Sequence, residues 1–343
     1  MAFSSVPNES KSQIKKAGQI LAHEHQDSTA YKQALELANR WRACHAYPIN
    51  TFQATLRRKL KGYSQAIVAQ RLKRMPTIID KLKRYPAMQL TTMQDIGGVR
   101  AILKSASDVY SVTNEYRKNK RLEHDLIETY DYISNPRDED GYRSVHLVYK
   151  YRNERATTYD GLRLELQVRS KLQHTWATAV ETMGTFLGQA LKSRQGDKEW
   201  LDFFAIVSAA CTYKEKTTPI PRFSHLSKRQ TFQAVAAAEA KLEALEKMRG
   251  FSVAIQKIKG AGKGRSYYLI ILNSLEHTVT LRPYDRDNFS KAVTDYSNAE
   301  AEAAKGAKIE PVLVSAEDPR RAYPNFFLDI GEFSKLVHEI LSA

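Results

Sequence analysis

The chain has 343 residues, 42% of them hydrophobic, with 18 Tyr and 3 Trp, which is ample for one large or two ordinary packed domains and excludes a disordered chain. Lys and Arg number 53 against 38 Asp and Glu, a formal net charge of +15 that suits a polyanion such as RNA or a nucleotide phosphate chain. Cys44 and Cys211 lie far apart with no CxxC or histidine cluster, the longest apolar run (203–211) is too short to span a bilayer, and the N-terminus has no signal-like apolar stretch, so we expect a soluble protein of the reducing cytoplasm without disulfides, zinc or a membrane anchor.

From residue 11 to about residue 62, apolar residues recur every three or four positions, as in "YKQALELANRWRACHAY", which predicts helices. A strand-rich middle follows, with "DIGGVRAIL" (95–103), "IETYDYI" (127–133), "RSVHLVYKY" (143–151) and "LRLELQVR" (162–169) separated by helical patterns. The predicted fold class is α+β, a mixed sheet flanked by helices. "SKLQHTWATAVETMGTFLGQAL" reads as a long helix with His174 in the core and Trp176 on the surface, and "QTFQAVAAAEAKLEALEKM" as a helix stopping at Arg249-Gly250. A hairpin, a helix, a strand and a closing helix then predict a small α+β domain, so the chain divides into 1–249 and 250–343.

Within "LRLELQVR", the period of two puts Leu162, Leu164, Leu166 and Val168 on one face of a strand and Arg163, Glu165, Gln167 and Arg169 on the other, which is either a wet face or a working one. In "QRLKRMPTIIDKL", Arg71 and Lys73 share a strand face, and Thr77 with Asp80 fits a capping box that places Lys81 one turn on; the result suits a phosphate chain, and equally an ordinary basic helix start. Gly97-Gly98 permits a sharp turn or a close approach to a ligand, with Asp95 before it and Arg100 after. Asp95 and Glu165 suffice for a Mg²⁺ site of the phosphotransfer kind, which needs only one or two carboxylates beside the substrate phosphates. Tyr142, directly after Gly141, can offer its ring to a base or pack over its own hairpin.

Taken in order, these segments resemble the synthetase domain of the RelA/SpoT family. Its R-x-K-x3-S-x3-K pattern is matched by Arg71, Lys73, Thr77 and Lys81, D-x-x-G-x-R by Asp95, Gly98 and Arg100, G-Y-R-S-x-H by Gly141 to His146, and E-x-Q-x-R by Glu165, Gln167 and Arg169. The resemblance implies a nucleotidyltransferase-like fold and transfer of pyrophosphate from ATP to a ribose 3′-hydroxyl. It assigns Arg71 and Arg100 to the adenine, Lys73, Thr77 and Lys81 to the phosphates, and Asp95 and Glu165 to Mg²⁺, with Glu165 also drawing the proton from the attacking hydroxyl. Tyr142, His146, Arg137, Gln167 and Arg169 fall on the acceptor side. The loop "PRDEDGY" is one residue longer than the family's P-K-x-N-G-Y, with Arg137 for Lys and Asp140 for Asn, which leaves the acceptor open.

The flanking segments "NRWRACHAYPINTFQATL", "LQHTWATAVETMGTFLGQALK" and "RRAYPNFFLDIGEF" are similar to the CapRel-like toxin–antitoxin fusions. That similarity implies a toxin that pyrophosphorylates the tRNA CCA end in phage defence. Its C-terminal domain, zinc-finger-like but without zinc ligands, would block the ATP site through a Y-x-x-Y motif, here Tyr323 and Phe326, until a phage protein binds; by burial tendency alone the two read equally as core aromatics of that small domain. No role for DNA is expected. On this view Tyr323→Ala, or truncation before about residue 250, raises toxicity. The alternative within the same resemblance is a small alarmone synthetase making (p)ppGpp or (p)ppApp.

Overall fold

The computed structural model describes residues 3–118, 123–187, 191, 197–253, 257–259, 266–273, 275–276, 278–316, 318–327 and 330–343. The middle of the chain supplies β1 (Ile67–Leu72), β2 (Gly97–Leu103), β3 (Asp125–Asp131), β4 (Val145–Lys150) and β5 (Arg163–Ser170). The C-terminal segment adds β6 (Lys257–Lys259), β7 (Tyr267–Asn273), β8 (Thr278–Tyr284) and β9 (Ile309–Ala316). Among the described residues these form one sheet in the order β3-β4-β5-β2-β1-β9-β7-β8-β6. The pairs β2 with β5 and β6 with β8 are parallel and the others antiparallel, so the sheet is mixed and the α+β class holds.

The expected division at 249/250 is not a break in this sheet. β9 pairs with β1 through Ala69–Ala316, Gln70–Ser315 and Arg71–Val314. The reason lies in composition: Pro311 to Ala316 are buried without alternation, so β9 needs cover on both faces and a neighbour on both edges.

The helices are α1 (Lys11–His23), α2 (Thr29–Cys44), α3 (Ala46–Lys59), α4 (Met75–Arg84), α5 (Ala106–Lys118), α6 (Lys171–Phe186), α7 (Lys198–Glu215), α8 (Lys228–Leu242), α9 (Ala244–Val253), α10 (Phe289–Ala304), α11 (Pro319–Ala322) and α12 (Gly331–Leu341). Helices α3, α5 and α10 cover one sheet face, where Phe52, Val112 and Tyr296 pack on Val99, Leu147, Leu166 and Leu313. A second core joins α6, α7, α8 and α12, so Phe333 and Val337 from the chain's end pack with Trp176, Phe203 and Phe204. Trp176 is therefore core rather than helix surface, 4% exposed, with its indole N–H donating to the Phe204 carbonyl at 2.7 Å.

The helix expected to stop at Gly250 instead breaks at Glu243, which is left-handed (φ 52°), and resumes as α9 through Gly250 to Val253. The break lets Leu242, Ala244 and Met248 all reach the same core. Both cysteines are buried and unpaired. No described helix is long and apolar enough to cross a membrane.

Candidate active site

The face of the sheet opposite α3 and α5 carries the polar residues. Strand register aligns them in two rows: Tyr130, His146, Gln167, Arg100 and Ala69 run across β3, β4, β5, β2 and β1, and Glu128, Val148, Glu165, Gly98 and Arg71 form the next. On the polar side of "LRLELQVR", Glu165 and Gln167 line a cavity rather than open solvent. Arg163 is no solvent-facing residue either, since it donates to the Thr92 carbonyl at 2.9 Å.

The glycine pair is resolved by its neighbours. Both residues lie within β2, and a Cβ on Gly97 would come within 2.7 Å of the Ile49 side chain on α3, so Gly97 serves helix packing. Gly98 sits in the row between Arg71 and Glu165 and leaves that part of the floor without a side chain. Gly141, at φ +73°, needs both the left-handed backbone and the space, because a Cβ there would meet Ile220 and Ser208 at 2.8 Å.

Asp95 lies in the turn entering β2 and receives two ammonium groups, Lys73 Nζ on Oδ2 at 2.8 Å and Lys81 Nζ on Oδ1 at 3.0 Å. Burial alone would raise its pKa, but the two lysines outweigh burial and hold the carboxyl well below the usual range. Thr77 is in the first turn of α4 and half-buried, but the expected capping box does not form: Arg74 is the N-cap, no side chain caps the helix locally, and Asp80 pairs with Arg84. Pro76, tolerated in the first turn, moved the helix start two residues ahead of Thr77.

Glu165 Oε1 accepts from His146 Nδ1 at 2.8 Å and Oε2 from the Gln167 amide at 2.6 Å, and Tyr142 Oη lies 2.9 Å from His146 Nε2. Burial disfavours the imidazolium, yet Tyr142 and Glu165 together push its pKa up to about 9, while the same His146 keeps Glu165 below the ordinary carboxylate range despite burial. Arg169 is 2% exposed, its pKa lowered to about 9 by burial and the nearby Arg100. It acts electrostatically on Tyr323, so it belongs to the arginine group with Arg71 and Arg100 as much as to the acceptor side.

Of the two readings of Tyr142, the structure shows the packed one. Tyr142 is only 8% exposed, with the Arg137 guanidinium 4.5 Å from its ring centroid and the Tyr132 ring edge-on to it at 5.6 Å between centroids, so its ring is covered rather than offered. The cause is Asp140, which pairs with Arg137 and accepts the Tyr142 amide at 3.0 Å.

A cavity of about 30 Å³ is lined by Arg71, Lys73, Asp95, Gly98, Arg100, Glu165, Gln167 and Tyr323. Tyr323 follows α11, is 1% exposed, and puts its ring 5.3 Å from the Arg100 guanidinium. Phe326 is in the 3₁₀ turn Pro324–Phe327, and its side chain lies outside the described residues.

Sequence reasoning missed Tyr130, the exposed register partner of His146, although the alternation in "ETYDY" places it on the His146 face. It also missed Ser208, whose hydroxyl donates to the Gly141 carbonyl at 2.6 Å from α7, a contact with no local signal. His174 is buried, and burial with Arg169 and Arg100 depresses its pKa strongly, which places it beside the arginine group. Among the described residues no group of three or more His, Cys, Asp or Glu gathers to hold a metal.

Residues 70–184, which build most of this face, match the family model described as a region found in RelA / SpoT proteins. The chain is 31% identical over 114 residues to GTP pyrophosphokinase YwaC and 31% identical over 113 residues to GTP pyrophosphokinase YjbM, both of Bacillus subtilis. Each match takes in 32% of this chain and 52% of the relative, so the chain spans about half the length of the curated relatives it matches. The crystal structure of small alarmone synthetase 1 from Bacillus subtilis bound to its product pppGpp aligns with a TM-score of 0.43 and 24% identity, covering 52% of this chain and 92% of that one. The segment that carries the site thus matches a region found in RelA / SpoT proteins.

Proposed function

We propose that this protein transfers pyrophosphate from ATP to the 3′-hydroxyl of a purine nucleotide, making an alarmone of the (p)ppGpp or (p)ppApp type. The observation that carries this reading is that Lys73, Asp95 and Glu165 line one cavity, with Lys81 of α4 paired to Asp95, in a segment shared with relatives named GTP pyrophosphokinases. Arg71 and Arg100 hold the adenine between guanidinium planes, and Lys73, Thr77 and Lys81 hold the phosphates. Glu165, kept ionised by His146, accepts the proton of the 3′-hydroxyl. A bond forms from that oxygen to the β-phosphorus, the bond from the β-phosphorus to the α-phosphate oxygen breaks, and AMP leaves. Positioning and charge neutralisation supply most of the rate in such a transfer.

Asp95 and Glu165 fit Mg²⁺ chemically. Their four oxygens are engaged by Lys73, Lys81, His146 and Gln167, so phosphates that take over the lysines leave hard oxygen ligands in place. When bound, the ion neutralises charge on the transferring phosphates.

A second reading is a self-inhibited toxin of phage defence, acting in the cytoplasm on the tRNA CCA end and released when a phage protein binds residues 250–343. Two observations favour it: Tyr323 lies against Arg100, where the adenine is assigned, and the net charge is +15. Incubation with Mg²⁺, ATP labelled at the γ-phosphate, and either GDP, GTP and ATP or deacylated tRNA separates the two. Label on free nucleotides is expected, and label on tRNA alone overturns the first reading.

A further inference from the structure

The start of α4 is gripped from the far end of the chain. Three consecutive residues lead from β1 into this helix: Lys73, which holds Asp95, then the N-cap Arg74, then Met75. Glu300 on α10 accepts the Met75 amide N–H at 2.8 Å and the Arg42 guanidinium at 2.6 Å. Arg42 also donates to the Asn39 side chain at 3.0 Å, reaches the Lys73 carbonyl at 3.5 Å, and lies 4.7 Å from the ring centroid of Tyr296. Arg74 pairs with Glu310 of β9 at 2.8 Å. The Arg42 and Glu300 side chains are 2% and 7% exposed, so this clasp is interior.

Stability alone is a weak reason for such a pair, because desolvation offsets much of the attraction and apolar replacement is often neutral. Glu300 does what an apolar residue cannot. It satisfies an N-terminal amide of a helix that has no side-chain cap of its own, and it sets negative charge at the positive end of that helix. We infer that Glu300 is a positioning residue for the phosphate-binding end of α4, so that residues 250–343 complete the donor site as well as covering it. The inference rests on the donor roles given above to Lys73, Thr77 and Lys81. Thr77 and Lys81 ride on the first two turns of α4, where a misplacement of about 1 Å can cost on the order of 100-fold in rate.

The test uses the full chain carrying Tyr323→Ala as parent, with Glu300→Gln and Glu300→Ala added, and reads amide exchange together with binding of α,β-methylene-ATP. In Glu300→Ala the amides of residues 75–82 should exchange faster while β2 and β5 keep their protection, and affinity for the analogue should fall at least about tenfold. Glu300→Gln, which keeps an oxygen for the Met75 amide, should fall between the two and carries the test if the Ala variant does not fold. Equal affinity in parent and both variants overturns the positioning role, as does a loss of protection spread evenly over the sheet. A parent that does not bind the analogue overturns the donor reading itself.

Discussion

Tyr323→Ala should open the pocket proposed for the donor at a cost to stability, and the two effects can be weighed separately. The ring is 1% exposed and stands 5.3 Å from the Arg100 guanidinium, a desolvated cation–π contact worth about 2 kcal/mol. If ATP must displace that contact to reach Arg71 and Arg100, its apparent affinity in the parent is reduced by roughly 30-fold. Removing a buried aromatic costs about 3–5 kcal/mol, which should lower Tm by roughly 10 °C in a chain of this size. Titration calorimetry with α,β-methylene-ATP should show tighter binding by up to the stated factor in the Ala variant. Tyr323→Phe, which keeps the ring over Arg100, should bind like the parent. An Ala variant that stays folded and binds no more tightly would refute the idea that the ring competes with the nucleotide.

Glu165→Gln should abolish transfer in the labelled-ATP assay while leaving α,β-methylene-ATP binding within about tenfold, since the phosphate ligands on α4 remain; residual transfer near the parent rate would remove Glu165 from the role of base. His146 has its folded pKa raised to about 9, so the stability it contributes is fully present below the unfolded value near 6.5 and is lost as pH rises through about 9. Melting curves should therefore fall more steeply from pH 7 to 9.5 in the parent than in His146→Gln, and parallel profiles would contradict the ion pair with Glu165. Truncation at residue 249 should give an aggregating or unfolded product rather than an unleashed enzyme, because it bares the β1 edge and removes Glu300; a soluble monomer with transfer activity would count against this.

The candidate site was legible where side-chain placement follows local spacing. Glu165, Gln167 and Arg169 alternate on one strand, and Asp95, Gly98 and Arg100 sit at fixed offsets around a strand start, so period and motif were enough to put them together. What the alternation could not reveal is which neighbour a side chain finds across the fold. Tyr142 reads equally as a stacking surface or as a packed ring until Arg137, paired with Asp140, is seen lying across it. The capping box at Thr77 failed because Pro76 moved the helix start and the cap came from α10, hundreds of residues on. The boundary at residue 250 reflected a real change in pattern, but strand pairing is long-range, and nothing local distinguishes a strand that starts a new sheet from one that extends an old one.

That pairing of β1 with β9 also sets a clock on the ribosome. Residue 69 leaves the exit tunnel long before residue 316, and at ordinary translation speeds of about 5–20 residues per second the interval is roughly 12–50 s. During it the strand that carries Arg71 has a bare flank, and α4 has no Glu300 to cap it. In a nascent chain the cavity at Arg71 and Arg100 is therefore completed last, as Tyr323 arrives to line it.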